Sequence, residues 1–151
     1  MSNFENLKSA VFSKSEEKQH ISKAFMEWFV VGYYIDTETD TSCVCGKPHI
    51  KYIFCIENKI NGNVLEPIGC ECVKKFDNPE LDKSVKMGMN GNTVFNNDGK
   101  AHHNKTYHEI CSKHPDYVVY LKTHAFKKKY LKLVEYYDFF KSLKKTAPTR
   151  M

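Results

Sequence analysis

CVCGKPHIKYIFCIENKINGNVLEPIGCECVKKF, residues 43–76, is the stretch from which the rest of the chain is best read. It opens with two thiols one residue apart, Cys43 and Cys45, followed by Gly46, whose missing Cβ lets the backbone turn through positive φ. Side chains then alternate, with Ile50, Tyr52, Phe54 and Ile56 on one face and Lys51, Ile53, Cys55 and Glu57 on the other. A period of two predicts a half-buried strand. Asn61-Gly62 predicts a tight hairpin turn and Val64-Leu65 the start of the return strand. Gly69-Cys70-Glu71-Cys72 leads into Val73-Lys74-Lys75-Phe76, read as a short helix.

Thiols on a tight turn and at a helix start can close on one metal ion from two directions. A structural zinc ion takes four thiolate or imidazole ligands in a tetrahedron with no open position. A thiol in the first helical turn also faces the helix's positive end, which favours the thiolate. Cys43, Cys45 and Cys72 are the expected ligands of one structural Zn²⁺. The fourth position lies between His49, four residues after Cys45, and Cys70. His49 is preferred, because residues two apart in a helix do not face one another. The order of knuckle, hairpin and helix is that of a treble-clef zinc finger, and the expected fold class is α+β.

Composition narrows the setting. The chain has 151 residues, 41% hydrophobic, with ten Phe, nine Tyr and one Trp, enough for a packed core. Residues 1–20 have no apolar segment of signal-peptide type, and the run Trp28–Val31 is far too short to span a membrane. A reducing cytoplasm is therefore expected, where thiols more often bind metal than pair. Cys55 and Cys111 read as packed thiols. The net charge of +5 is uneven: residues 120–151 hold nine Lys or Arg against two acids, and residues 1–119 hold fourteen against sixteen. Such asymmetry points to an anionic partner, with a solvated helix face as the bland alternative.

Taken in order, residues 1–12 carry no strong pattern and read as either a frayed arm or a short helix. Ser13-Lys14-Ser15-Glu16 has capping-box spacing, and Ile21, Ala24, Phe25, Trp28 and Val31 recur at three and four, predicting a helix that stops at Gly32. Asn78-Pro79 predicts a second helix start, and the turn-rich Met87–Asn92 a boundary between modules 1–88 and 93–145. Thr93–Phe95 reads as a strand, Asn96–Gly99 as a turn, and Thr106-Tyr107-His108-Glu109 as a capping box opening a helix to Lys113. His114-Pro115-Asp116 restarts a helix. From Ala125 one long helix is expected to bury Phe126, Tyr130, Leu133, Val134, Tyr137 and Phe140. Residues 146–151 read as a tail.

Two segments resemble known families. Cys43-x-Cys45-Gly46, Ile50-Lys51-Tyr52, Asn61-Gly62 and Pro67-Ile68-Gly69-x-x-Cys72-Val73-Lys74-Lys75-Phe76 resemble small zinc-finger proteins of bacteriophages, mobile elements and large DNA viruses. In those the position of Cys70 is often a small residue, which favours Cys72 as the retained ligand. Phe95, Gly99-Lys100, Lys105-Thr106-Tyr107, Glu109-Ile110, Pro115-Asp116-Tyr117 and Tyr120-Leu121 resemble the small domain appended to exodeoxyribonuclease X-like enzymes. Asn104 stands where that pattern has glycine, and Tyr120 where it has tryptophan. The resemblances imply a nucleic-acid-associated accessory protein and supply no catalytic residue.

Three functions follow. The first is a non-catalytic, zinc-stabilised nucleic-acid-binding protein, in which Lys74, Lys75, Lys127, Lys128, Lys129, Lys132, Lys141, Lys144 and Lys145 neutralise phosphates. Tyr130, Tyr136 and Tyr137 are interleaved with those lysines and could stack on bases, although Tyr130 and Tyr137 read as core. The second is a protein-binding inhibitor or modulator of a host complex, working in the host cytoplasm. The third is a metal-dependent nuclease, suggested by His102-His103-Asn104 and His108, whose spacing within one loop and a helix start is wrong for such a site.

Overall fold

A computed structural model describes residues 2–124 and 127–143. The chain is mixed α+β, with a three-stranded antiparallel sheet and, among the described residues, seven α-helices. It forms two compact units that part between Val85 and Lys86, the second ending at Ser142.

The first unit is built on β1 (Trp28–Ile35), β2 (Tyr52–Asn58) and β3 (Val64–Gly69), in the order β1-β2-β3. β2 and β3 are the hairpin expected from alternation. β2 is the central strand, and both its faces are covered: Ile53 and Cys55 are buried as well as Phe54 and Ile56. The hairpin connection is longer than Asn61-Gly62 alone suggests, running over residues 59–63, with the Gly62 N–H donating to Asn58 O at 3.0 Å. Its organiser is the buried Asn58, whose Oδ1 accepts from the N–H groups of Ile60 and Asn61 at 2.9 and 3.2 Å.

β1 overturns the helix expected from Ser13 to Gly32. The helices there are α1 (Asn3–Lys14), in the segment without a pattern, and the short α2 (Ile21–Phe25). Ser2 caps α1 by accepting from the Glu5 N–H at 3.1 Å. Ile21, Ala24 and Phe25 are helical as expected, but Trp28 and Val31 are buried from a strand. The physical reason is the run Trp-Phe-Val-Val-Gly-Tyr-Tyr-Ile, almost entirely aromatic or β-branched, which suits a pleated surface. Gly32 does not stop a helix; it follows the bulge at which the β1–β2 register shifts.

Buried polar groups tie this unit together. The Glu27 carboxylate accepts from the N–H groups of Glu16 and Glu17 at 2.8 and 2.9 Å and from Asn58 Nδ2 at 2.8 Å. Trp28 Nε1 donates to Ser15 Oγ at 3.0 Å. α3 (Cys70–Lys74) leaves β3 directly, and α4 (Pro79–Met89) starts at the expected Asn78-Pro79. Asn78 Oδ1 accepts from the Glu80 N–H at 3.0 Å while its Nδ2 donates to the carbonyls of Phe25 and Trp28.

The second unit packs α5 (Tyr107–Lys113), α6 (Pro115–His124) and α7 (Leu131–Ser142) on one another. Thr106 caps α5 through the Glu109 N–H at 3.1 Å, as its capping box predicts. Thr93–Phe95 contributes a single bridge, Val94 to Thr106, rather than a strand. Phe95 gathers the rings of Tyr107, Tyr117 and Tyr130 at 6.5, 6.4 and 5.9 Å. The long helix expected from Ala125 is instead a 3-10 turn over Lys128–Tyr130 followed by α7. Ala125, Phe126, Lys144, Lys145 and the tail 146–151 lie outside the described residues. Gly91 accommodates the buried Tyr136: a Cβ there would sit 2.6 Å from the phenol oxygen.

Candidate metal centre

The knuckle is shaped by backbone hydrogen bonds that turn the chain back on itself. Gly46, at φ +98°, donates its N–H to Cys43 O, and the Cys43 N–H donates to Lys47 O, both at 2.8 Å. The Val44 N–H reaches Pro67 O on the edge strand β3 at 3.0 Å, and Asn6 Nδ2 on α1 donates to Cys45 O at 3.0 Å. β3 then delivers Gly69, whose N–H donates to Cys43 Sγ at 3.3 Å, and three residues later Cys72 projects from α3. Asn6 carried no sequence signal for this role, since the contact spans 39 positions.

These elements bring the sulfurs of Cys43, Cys45 and Cys72 within 4.8 Å of one another, all three residues buried. A tetrahedral zinc site with Zn–S near 2.3 Å has sulfur–sulfur edges of about 3.8 Å, so small rotations would seat a metal. Three buried thiols cannot all ionise without a cation to hold them. The Cys72 thiol donates to Cys43, and the Gly69 and Cys45 groups assist, drawing the Cys43 thiol well below its ordinary value. Cys72 is pushed up, by that same hydrogen bond and by burial. A divalent metal would relieve this by stabilising every thiolate at once.

Neither candidate for the fourth ligand belongs to the group. His49, preferred from spacing, is exposed, because Ile50 pairs back to Thr41 and leaves His49 at φ +59° on the outer side of the turn. Its Nδ1 lies 3.1 Å from Thr39 O. A carbonyl can only accept, so Nδ1 carries the hydrogen, and Nε2 is the ring atom through which a metal would bind. Cys70 is half-buried on another side of α3, with its thiol pushed up by burial. A cavity of about 160 Å³ has Cys43, Cys72, His49 and Cys70 in its wall.

The histidines of the second unit make no comparable group; among the described residues the three thiols are the one set of three or more metal-type ligands. Lys105 Nζ donates to His102 Nδ1, the Asn97 N–H donates to His103 Nδ1, both at 3.0 Å, and His108 Nδ1 faces the Tyr136 hydroxyl at 2.8 Å. A second metal shared by His102, His103 and His108 is therefore not assembled.

The lysines expected to meet phosphate divide between the units. Lys74 and Lys75 are exposed at the end of α3, Lys74 lying 3.7 Å from Glu71 and Lys75 5.7 Å from the Phe4 ring. Lys127, Lys128 and Lys129 are exposed ahead of α7, and Lys132 and Lys141 on it. Lys129 pairs with Asp98 at 3.5 Å. Of the tyrosines offered for stacking, Tyr130 and Tyr136 are buried and Tyr137 is half-buried, so the first two are closed to a base. No helix among the described residues is long and apolar enough to cross a membrane. Comparison with family models, curated proteins and solved structures gives no match to this chain.

Proposed function

We propose that this chain is a non-catalytic nucleic-acid-binding protein, with a first unit of treble-clef type stapled by one structural zinc ion and a second unit that meets phosphate. Knuckle, hairpin and short helix follow one another in the first unit, with thiols contributed from both ends. Three thiolates favour zinc among the common metals, and His49 and Cys70, which line the cavity beside Cys43 and Cys72, are the two candidates to complete the shell on metal binding. Metal binding at such a site is folding free energy rather than chemistry.

The observation that carries the partner is the separation of charge. Residues 86–142 hold ten lysines against five acids and five of the seven histidines, whereas residues 1–85 hold ten lysines against thirteen acids. The second compact unit carries net +5, beside −3 over residues 1–85 and +3 over residues 143–151, and this is an electrostatic footprint for a polyanion.

The test is a titration of the zinc-loaded protein with labelled duplex and single-stranded oligonucleotides at about 50 and 200 mM salt. Affinity should fall steeply with salt, and again when Lys127, Lys128 and Lys132 become Glu. Absence of binding to either polymer at the lower salt overturns the reading.

A further inference from the structure

One aromatic group in the basic unit is turned outward. Tyr120 on α6 is 55% exposed, although its helix neighbours Val118 and Leu121 are buried. Four residues on, His124 is also exposed, and the two rings lie nearly parallel, with centroids 5.3 Å apart at 16°. A helical turn sets rings at i and i+4 over one another. Here that spacing yields a ready-made stack rather than a core contact.

Cations follow immediately. Lys127 is three residues beyond His124, so the chain holds their Cα atoms within about 11 Å of each other. Lys127 and Lys128 are exposed, and no acid pairs with either among the described residues. Lys122, by contrast, is engaged by Asp138 at 2.8 Å.

We propose that the Tyr120–His124 pair is a stacking platform for the bases of single-stranded nucleic acid, with Lys127 and Lys128 taking the adjoining phosphates. The proposal rests on the nucleic-acid reading above and deepens it by naming the form of the polymer. Bases in a duplex are stacked on one another and offer no face to a ring, whereas an unpaired base can stack on Tyr120 regardless of its sequence. The net charge of the unit matches the polymer, which an apolar protein segment would not require.

The experiment measures binding of unstructured single-stranded and duplex oligonucleotides to the full zinc-loaded chain and to variants. Tyr120→Ala should weaken single-strand binding about 5- to 150-fold and leave duplex binding unchanged, and Tyr120→Phe should restore the affinity. Lys127→Glu with Lys128→Glu should weaken both polymers and lower the single-strand salt slope by roughly 1.4. Circular dichroism of each variant should match the parent, because the altered side chains are exposed. Unchanged single-strand affinity in Tyr120→Ala, or equal losses on both polymers, overturns the platform while salt-sensitive binding leaves the broader reading standing. If the parent binds neither polymer, both fall, and the exposed face is then one for a protein.

Discussion

Replacing Glu27 by glutamine should destabilise the first unit by about 2–4 kcal/mol at neutral pH. Glu27 is only 8% exposed, and its carboxylate accepts three hydrogen bonds, from the N–H groups of Glu16 and Glu17 and from Asn58 Nδ2. Hydrogen bonds to a charged group contribute roughly 1.5–3 kcal/mol each, and a buried donor left without an acceptor costs about 1–3 kcal/mol. Glutamine keeps one oxygen and aims an NH₂ at a donor, so it forfeits the charge assistance and orphans at least one N–H. The pH dependence follows from the same contacts. Burial raises the Glu27 pKa, but the hydrogen bonds from Asn58, Glu16 and Glu17 together outweigh it and leave the group below its ordinary value. A depressed carboxyl contributes stability that is present above its unfolded pKa, near 4.5, and is lost as pH falls through the lower folded value. Urea unfolding of the parent and Glu27→Gln across pH 7 to about 3 should therefore show a gap that narrows only in acid. A gap below about 0.5 kcal/mol at pH 7, or one that stays constant into acid, refutes the reasoning.

Cys72→Ser should abolish the single equivalent of zinc and lower the melting temperature, and a chelator should destabilise the parent but not the variant. Elemental analysis beside thermal unfolding decides this; a folded Cys72→Ser protein that retains one metal ion contradicts the assignment. Gly91→Ala should cost about 1–3 kcal/mol by overpacking, since the new Cβ would meet the Tyr136 phenol at 2.6 Å and its ring carbon at 2.7 Å. Tyr136→Phe removes only the oxygen and should not rescue the variant in thermal unfolding; a neutral Gly91→Ala would show that Tyr136 has room to move.

Several local signals carried through to the fold, although the capping-box spacing at Ser13–Glu16 opened no helix there. The Cys43-x-Cys45-Gly46 turn, the hairpin strands, Asn78-Pro79 and the Thr106 cap each rest on contacts within a few residues, and each holds in the fold. The thiol group was legible for the same reason, because a knuckle and a helix start advertise themselves by spacing. Tertiary structure decided the rest. Trp28–Ile35 fits a helical period as well as a strand, and pairing with Tyr52–Asn58 settles it. His49 has ligand spacing, yet a bridge between Thr41 and Ile50 turns it out of the thiol group. Tyr136 and Tyr120 both lie in helices rich in aromatics, but one is sealed beneath Gly91 and His108 while the other stands in solvent. Such choices depend on which distant segment arrives to cover a face, and no window of neighbouring residues contains that information.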